Sequence, residues 1–374
     1  MRSWSRRARF ASRPSGRLRV LYFGTYERGY PRNAQVISCL RRAGVDVLEH
    51  HEPVWEGGTQ HWIAGGSAAL RLARAQTRLL RRKVPAADVV VVGYPGHFDL
   101  PAARRAARGR PVVFNPLVSL SDTLVEDRAR FRRGSVPARF LGAIDRRSMR
   151  AADLVVADTE ANAAFLAGLA GLPKERFAVA FVGAEERIFE EGWAPVEPWS
   201  ALFIGKLIPL HGLETILGAA RLVPELRFRI VGNGQLDGLL AGRPTNVEWE
   251  PWVEYDRLPA ELHRASCALG VFGTTLKARR VIPNKAFQAL ACGTPLVTGD
   301  TPGARELLVH GESALLVEPG NPEALALALR RLAGDPELAR RLGGGSGGGH
   351  TAYREHASED VLGRRWRELL AEVL

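Results

Sequence analysis

The chain has 374 residues, of which 46% are hydrophobic and 25% charged, and its formal net charge is +12. This globular composition excludes a largely disordered protein, and the length favours two domains. Three scattered cysteines exclude a disulfide framework and a cysteine metal cluster. No apolar run approaches the roughly 18 residues of a membrane span, so we expect a cytoplasmic protein that is soluble or lies on the inner face of the cell membrane.

The positive charge is concentrated in the first half. Residues 1–190 hold 32 Lys and Arg against 18 Asp and Glu, whereas residues 191–374 hold 20 against 22. Such an excess favours an anionic partner, and no zinc-finger or aromatic RNA-binding pattern points to nucleic acid. A general preference for arginine is the alternative explanation, since only five of the 52 basic residues are lysine. The basic segment 1–17, with Trp4, is expected to be a disordered tail or a contact with an anionic membrane.

Apolar, strand-like runs recur through the first half, with helical segments between them. They are RLRVLYFG (17–24), ADVVVVGYPG (87–96), RPVVFNPL (110–117) and ADLVVAD (152–158). Because these runs are almost continuously apolar, they predict a parallel sheet covered on both faces by helices. We assign residues 18–190 to one Rossmann-like domain.

The second half repeats this pattern. Its runs are SALFIGKL (200–207), LRFRIVGNG (226–234), CALGVFG (267–273), TPLVTGD (294–300) and SALLVEPG (313–320). They predict a second Rossmann-like domain over 191–345, with a cleft between the two domains. The remainder, 346–374, is predicted to be a glycine-rich flexible linker and a C-terminal helix with Ser358 as its N-cap.

Cationic residues and glycine turns follow two of these runs. Lys206 comes directly after a strand, and His211 precedes Gly212 at a helix start. A cation beside the free N–H groups of a helix forms an anion site. Gly232 and Asn233 add a turn after the next strand, where backbone can approach a ligand. Because successive parallel strands end at one edge of the sheet, these turns are expected to lie together.

Four segments in this order resemble the glycosyltransferases of family four, which are retaining enzymes of the GT-B fold. The segments are FIGKLIPLHGLETIL, RIVGNG, NVEWEPWVEYDRLPAELHRASCALGVF and NKAFQALACGTPLVTGDTPGARELLVHGESALLVEPGNPEAL. The resemblance implies an α/β GT-B fold, with two Rossmann-like domains facing a central cleft and a C-terminal helix crossing back to the first domain. It also implies a nucleotide-sugar donor in the second domain and an acceptor in the first.

The resemblance assigns two groups of donor contacts. The diphosphate and sugar group is Gly24, Lys206, His211, Lys277, Arg280, Asn284 and Lys285, and the nucleoside group is Gly232, Asn233, Trp252, Val253 and Gln288. Gln288 stands where the family has the second glutamate of its E-x7-E pair, and Arg280 where it has the first. An arginine cannot imitate a carboxylate. Either the donor sugar is anionic or otherwise unusual, or the loop differs here and Lys277, Arg279 or Lys285 contacts the sugar.

The segment PNKAFQALACG (283–293) is interpreted as the start of the donor-site helix. We expect Asn284 to cap it, Lys285 to face the diphosphate and Gln288 to face the ribose. A helix that only packs in the core is the alternative. No Asp-x-Asp motif is present, so we expect neither a metal ion nor another cofactor.

Candidate acceptor residues follow the strands of the first half. Arg32 and Asn33 begin a helix after the first strand, and Asp99, Asp122 and Arg128 lie after later strands. His97 stands in the region where the family has its active-site histidine. We assign it to orienting the sugar and not to removing a proton.

The expected function is transfer of a sugar from a UDP- or GDP-linked donor, with retention, to a hydroxyl acceptor such as a lipid-linked or cell-envelope glycan. Two alternatives remain. A sugar-nucleotide epimerase would turn over without an acceptor, and a non-catalytic nucleotide-sugar-binding or scaffold protein would not turn over at all.

Overall fold

A computed structural model describes residues 17–55 and 65–374. The predicted basic tail, including Trp4, lies outside the described residues except for Arg17. Within the described part the chain forms two six-stranded parallel sheets, one in each half. This is the predicted architecture of two Rossmann-like domains.

The first sheet has the strand order β2-β1-β3-β4-β5-β6. Helices α2 to α5 cover one face, while α1 and the last helix of the chain cover the other. Strands β3, β4 and β5 are buried along their whole length, which explains their continuous apolar sequences. The elements are β1 (Arg19–Gly24), α1 (Pro31–Arg42), β2 (Asp46–His51), α2 (Gly65–Arg81), β3 (Val89–Val92), α3 (Leu100–Ala107), β4 (Val112–Phe114), α4 (Val136–Ala151), β5 (Leu154–Ala157), α5 (Glu160–Ala170) and β6 (Phe177–Val179).

The second sheet has the order β12-β11-β10-β7-β8-β9. The strand order reverses between β7 and β10, and in such sheets ligands bind beyond the carboxyl ends of the strands at this point. The elements are β7 (Ser200–Ile204), α6 (Leu213–Leu222), β8 (Arg227–Val231), β9 (Val247–Glu250), α7 (Leu258–Arg264), β10 (Cys267–Leu269), α8 (Asn284–Ala291), β11 (Leu296–Gly299), β12 (Leu315–Val317), α9 (Pro322–Gly334) and α10 (Pro336–Leu342).

The chain ends with α11 (Gly349–His356) and α12 (Glu359–Glu372), and α12 crosses back to pack on α1 of the first domain. A Cβ on Gly363 would lie 2.6 Å from the Cys39 carbonyl oxygen, so the glycine permits the close helix contact. Ser358 is the N-cap residue as predicted, although its hydroxyl donates to the Arg354 carbonyl oxygen. None of the helices in the described ranges combines the length and apolar character of a membrane span.

The glycine run between α10 and α11 is a compact turn, so the prediction of a flexible linker is wrong. A Cβ on Gly343 would lie 2.3 Å from the Gly293 carbonyl oxygen, and one on Gly348 would lie 2.1 Å from that of Arg341. The His350 N–H donates to the Gly343 carbonyl oxygen at 3.0 Å. These glycines serve close backbone packing, whereas composition alone suggests conformational freedom.

Candidate functional site

Two glycine turns form the carboxyl edge of the second sheet beside the reversal of strand order. Gly205 follows β7 with φ +146°, and Gly232 follows β8 with φ +138°. A Cβ on Gly232 would lie 2.0 Å from the Gly205 carbonyl oxygen, so the two turns touch backbone to backbone. This contact fixes the turn that carries Lys206, and the structure places Lys206 and Asn233 at one edge as expected.

Lys285, near the start of α8, places its amine beneath the β7 turn. Its Nζ lies 3.6 Å from the centroid of the Phe203 ring, and a Cβ on Gly205 would approach it to 2.8 Å. The side chain is 8% exposed, and the amine has no hydrogen-bond partner among the described residues. Burial lowers the pKa of Lys285 well below its usual value. A buried amine without an acceptor is a position that an anionic ligand would satisfy.

His211 lies beside this amine. Its Nδ1 contacts the carbonyl oxygen of Lys206, and because a carbonyl only accepts, the Nδ1 atom carries the proton. Burial and the charge of Lys285 lower the pKa of His211 well below its usual value. The ring is therefore neutral at neutral pH, and the lone pair of its Nε2 suits a ligand hydroxyl better than a phosphate oxygen.

The start of α8 corrects one prediction. Pro283, with φ −73° and ψ 153°, is the N-cap, and Asn284 is the first helical residue without a side-chain capping bond. Gln288 is buried near the Tyr255 hydroxyl, in the segment that follows β9. A ribose contact for Gln288 stays a prediction.

The other predicted nucleoside residues lie at the ends of β8 and β9. The Asn233 side-chain amide donates to the Pro251 carbonyl oxygen at 3.1 Å. Trp252 is 65% exposed, and its Nε1 donates to Glu254 at 3.1 Å. Val253 is partly buried against the core beneath. The exposed indole is the aromatic surface of this segment.

Arg280 and Asp122 bind each other across the cleft. The Arg280 Nη2 donates to Asp122 Oδ2 at 2.8 Å, and the guanidinium lies 3.7 Å from the centroid of the Phe165 ring. Both side chains are largely buried, at 14% and 7% exposure. The structure therefore corrects two assignments, because the predicted sugar contact and the predicted acceptor contact form an ion pair that joins the domains.

Lys277 is a second link between the domains. Its Nζ donates to Thr123 Oγ1 at 2.8 Å and lies 4.0 Å from Asp127 Oδ2. Burial lowers the pKa of Lys277 and raises that of Asp127. The donor-site assignment of Lys277 is corrected, because its amine is directed to the π-helical turn 122–127 of the first domain.

Glu306 supplies a third link that sequence reasoning misses. Its carboxylate accepts the backbone N–H groups of Glu160 and Ala161, at the start of α5, at 2.6 and 2.8 Å. An acidic group is favourable at a helix N-terminus. The partners are separated by about 145 residues in sequence, so no local signal reveals the contact.

We expect the Asp122 and Arg280 pair to be energetically coupled. Asp122→Asn and Arg280→Gln should each lower the free energy of unfolding by about 1.5–3 kcal/mol, because each leaves one largely buried charge without its oppositely charged partner. Urea unfolding of the single and double variants would give a coupling energy of about 1 kcal/mol. The exposed pair Glu225 and Arg330, at 2.8 Å, is the control and should show no measurable coupling. Equal coupling in both pairs would contradict an anchoring role.

In the first domain, Gly24 and Asp99 form one structural unit. A Cβ on Gly24 would lie 2.4 Å from Asp99 Oδ2, so the glycine admits this carboxylate. Asp99 is fully buried and accepts the Thr25 N–H at 2.7 Å and the Thr25 hydroxyl at 3.1 Å. The structure corrects the acceptor assignment of Asp99, because its carboxylate holds the loop after β1. The contact with Asp99 also explains why residue 24 is a glycine, so no contact with the nucleotide-sugar is needed to explain it.

Arg32 and Asn33 point into the core. The Arg32 guanidinium is fully buried and donates to Asn115 and to the backbone carbonyl oxygens of Ala180 and Phe181. Asn33 is fully buried too, accepts the Tyr22 hydroxyl and the Tyr94 N–H at 2.9 Å, and donates to two backbone carbonyl oxygens. Neither side chain can reach an acceptor, so both assignments are corrected.

His97 is also enclosed by the first domain. Its ring packs edge-on against Phe114, its Nδ1 contacts the Pro95 carbonyl oxygen at 2.6 Å, and its Nε2 lies 3.5 Å from Asp145 Oδ1. The side chain has no exposed surface. The structure therefore corrects the catalytic assignment, since this ring supports the loop after β3.

Charged groups from both domains face the cleft near Lys206. Lys206 is exposed at the cleft surface, where partial desolvation and the charge of Arg128 lower its pKa, while Glu27 raises it. The Arg128 carbonyl oxygen accepts Gln235 of the second domain at 3.5 Å. Lys206 and Arg128 thus lie near each other, and their donor and acceptor contacts stay predictions. In the described ranges no cluster of His, Cys, Asp or Glu could hold a metal ion.

Two Rossmann-like domains with a cationic sheet edge at the cleft define a protein of the GT-B class. The family model described as Glycosyl transferases group 1 matches residues 199–335. This match lies within the second domain, and the resemblance to family four is confirmed.

Similarity to individual proteins extends beyond residues 199–335. A D-inositol 3-phosphate glycosyltransferase of Streptomyces bingchenggensis is 31% identical over 272 residues, which cover 64% of this chain and 58% of that protein. The chain thus spans less than two thirds of that relative. The sucrose-phosphate synthase of Thermosynechococcus elongatus superposes with a TM-score of 0.71 and 16% identity, covering 96% and 99% of the two chains. Anabaena HepE in complex with UDP-glucose superposes with a TM-score of 0.66 and 15% identity, covering 95% of this chain and 100% of HepE. These structures establish the fold.

Proposed function

We propose that the protein is a retaining, metal-independent glycosyltransferase that moves a hexose from a nucleotide-diphosphate donor to a hydroxyl acceptor. The observation that carries this proposal is the buried amine of Lys285, which has no hydrogen-bond partner in the described part of the chain, at the sheet edge that also holds Lys206. The fold relative HepE was solved with UDP and with UDP-glucose, which supports a UDP-linked donor here, with GDP as the alternative.

The site suits departure of a diphosphate. Breaking the anomeric C–O bond places negative charge on the leaving phosphate, and Lys206 and Lys285 would stabilise that charge more in the transition state than in the ground state. The acceptor oxygen bonds to the anomeric carbon from the same face, and its proton passes to the departing phosphate oxygen. No protein base is required, which agrees with the enclosed position of His97.

The donor sugar is recognised differently from that of relatives with two glutamates. Arg280 stands at the first glutamate position but is bound to Asp122, so neither a carboxylate nor a free cation meets the sugar there. We propose that an unusual sugar, or the neutral His211 ring, accounts for donor choice. A lipid-linked or cell-envelope glycan is the proposed acceptor.

Nucleotide binding tests the proposal. We expect UDP or GDP, and not all nucleotides equally, to raise the melting temperature, because a ligand that binds only the native state stabilises it. Lys206→Ala should weaken that affinity by about 1.5–3 kcal/mol, the value of a hydrogen bond to a charged group. Lys83→Ala, at an exposed position of the first domain, is the control and should not change it.

Two results would redirect the assignment. No shift with UDP, GDP, ADP or dTDP would contradict the proposed donor site. A shift without transfer to any acceptor, and without loss of the sugar to water, would favour the scaffold alternative.

A further inference from the structure

The exposed face of α4 combines apolar side chains with arginines. Val136 is 80% exposed and Phe140 is 58% exposed, one helical turn apart. Arg139, Ala143 and Arg147 are exposed at helical spacing on the same side. Apolar groups occupy the first half of this stripe and arginines extend along it.

The opposite side of α4 is used by the fold. Gly142, Asp145, Ser148 and Met149 are buried against the first domain. The exposed stripe is therefore not a misplaced core face, because the helix already has a buried side and packs against α3 and α5. Large apolar groups on a second, solvent-facing side indicate a contact outside the chain.

The charge around the stripe is strongly of one sign. Residues 65–151 contain 18 Lys and Arg against six Asp and Glu. Their net charge of +12 equals that of the whole chain. Of those six acids, Glu126 is the exposed one, and it pairs with Arg133. Arg139 and Arg147 have no ion-pair partner within the described ranges. A surface of this kind complements an extended anionic partner.

We propose that the face of α4 formed by Val136, Arg139, Phe140, Ala143 and Arg147 docks the protein on an anionic phospholipid membrane. The apolar pair enters the boundary between headgroups and acyl chains, and the arginines bind lipid phosphates. A charged polymer such as nucleic acid would use the arginines but gains little from Val136 and Phe140, so the apolar pair favours the lipid.

The chain before α4 contacts the second domain. The segment that precedes α4 follows the π-helical turn 122–127, which carries Asp122 and faces the second domain. Membrane binding itself does not depend on glycosyl transfer, and nucleotide affinity reports separately on the donor site.

Vesicle sedimentation of the full chain tests the docking face. We expect binding to equal mixtures of phosphatidylcholine and phosphatidylglycerol, and much weaker binding to phosphatidylcholine alone. Arg139→Gln with Arg147→Gln should weaken binding about 25-fold, or fivefold per arginine. Phe140→Ser with Val136→Ser should weaken it about tenfold or more. Leu327→Ser, at a residue of α9 that is 71% exposed, is the matched control and should bind as wild type.

Other outcomes overturn the proposal. Unchanged binding in both double variants would assign any membrane affinity to another part of the chain, such as the basic N-terminal segment. If only the arginine variant lost vesicle binding, and the wild-type protein bound duplex DNA as tightly as it binds vesicles, the face of α4 would be a general polyanion-binding surface. As a control, each variant should keep the melting temperature and the nucleotide affinity of the wild type, which would show that its fold and its donor site are intact.

Discussion

Lys285→Met is expected to stabilise the fold and to weaken nucleotide binding. The buried amine has no hydrogen-bond partner in the described ranges, and burial lowers its pKa well below the usual value. An apolar side chain of similar length avoids that desolvation, so the free energy of unfolding should rise by about 1–3 kcal/mol. Loss of the diphosphate contact should weaken nucleotide affinity about 100-fold. Urea unfolding and calorimetric titration would measure the two effects.

The dependence of this stabilisation on pH identifies its cause. The unfolded lysine keeps a pKa of about 10.4, whereas folding lowers the pKa of Lys285. Between the two pKa values the unfolded state binds more protons, so wild-type stability rises with pH. The advantage of the methionine variant should therefore shrink as the pH approaches the upper value. Lys174→Met, with its amine exposed beside Glu160, should show no such trend.

A destabilised Lys285→Met protein would contradict the interpretation, since it would mean that the amine makes favourable contacts within the fold. The same lysine should also make nucleotide binding depend on proton uptake. Binding a diphosphate restores the charged amine, so affinity should fall as the pH rises between the pKa values of the free and bound protein. Calorimetry in buffers of different ionisation enthalpy would count the proton.

Arg32→Met is expected to have the opposite effect, a large loss of stability. The fully buried guanidinium binds Asn115 after β4 and two carbonyl oxygens after β6, and it lies 5.8 Å from the centroid of the Trp366 ring. Its charge also lowers the pKa of Asp158, which burial raises to about 6. Removing this cation leaves buried acceptors without a donor, and the cost should be about 3–5 kcal/mol.

The exposed Arg28 provides a matched comparison. Its side chain is 54% exposed and pairs with Glu49 at 3.0 Å, so Arg28→Met should change the free energy of unfolding by less than about 1 kcal/mol. Thermal or urea unfolding would separate the two variants. If Arg32→Met folded as stably as wild type and instead weakened acceptor use, the original acceptor assignment would be restored.

The sequence predicts the sheet edges well because their signal is local. An apolar run followed by glycine and a polar residue identifies the turns of Gly205 and Gly232, and parallel strands bring such turns to one edge. The sequence also predicts Lys285 at the start of α8. The burial of this amine depends on its packing against Phe203. Phe203 lies on β7, far away in the sequence, so no local pattern predicts the contact.

Residues at helix starts show where sequence reasoning fails. Arg32 and Asn33 follow a glycine loop, as a ligand-binding pair would, but α1 turns both inward. Arg280 departs from the family pattern, and its partner Asp122 is 158 residues away. Both outcomes depend on tertiary packing. The sequence around a polar side chain does not distinguish a residue that binds a ligand from one that binds another part of the chain.

The return of α12 to α1 means that the polypeptide passes between the domains twice. One passage lies between β6 and β7, and the other lies between α11, which packs on α8, and α12, which packs on α1. A body attached at two points can rotate freely only about the line that joins them. Opening of the cleft would then follow one hinge axis, so that the two halves meet again in the same register after each cycle.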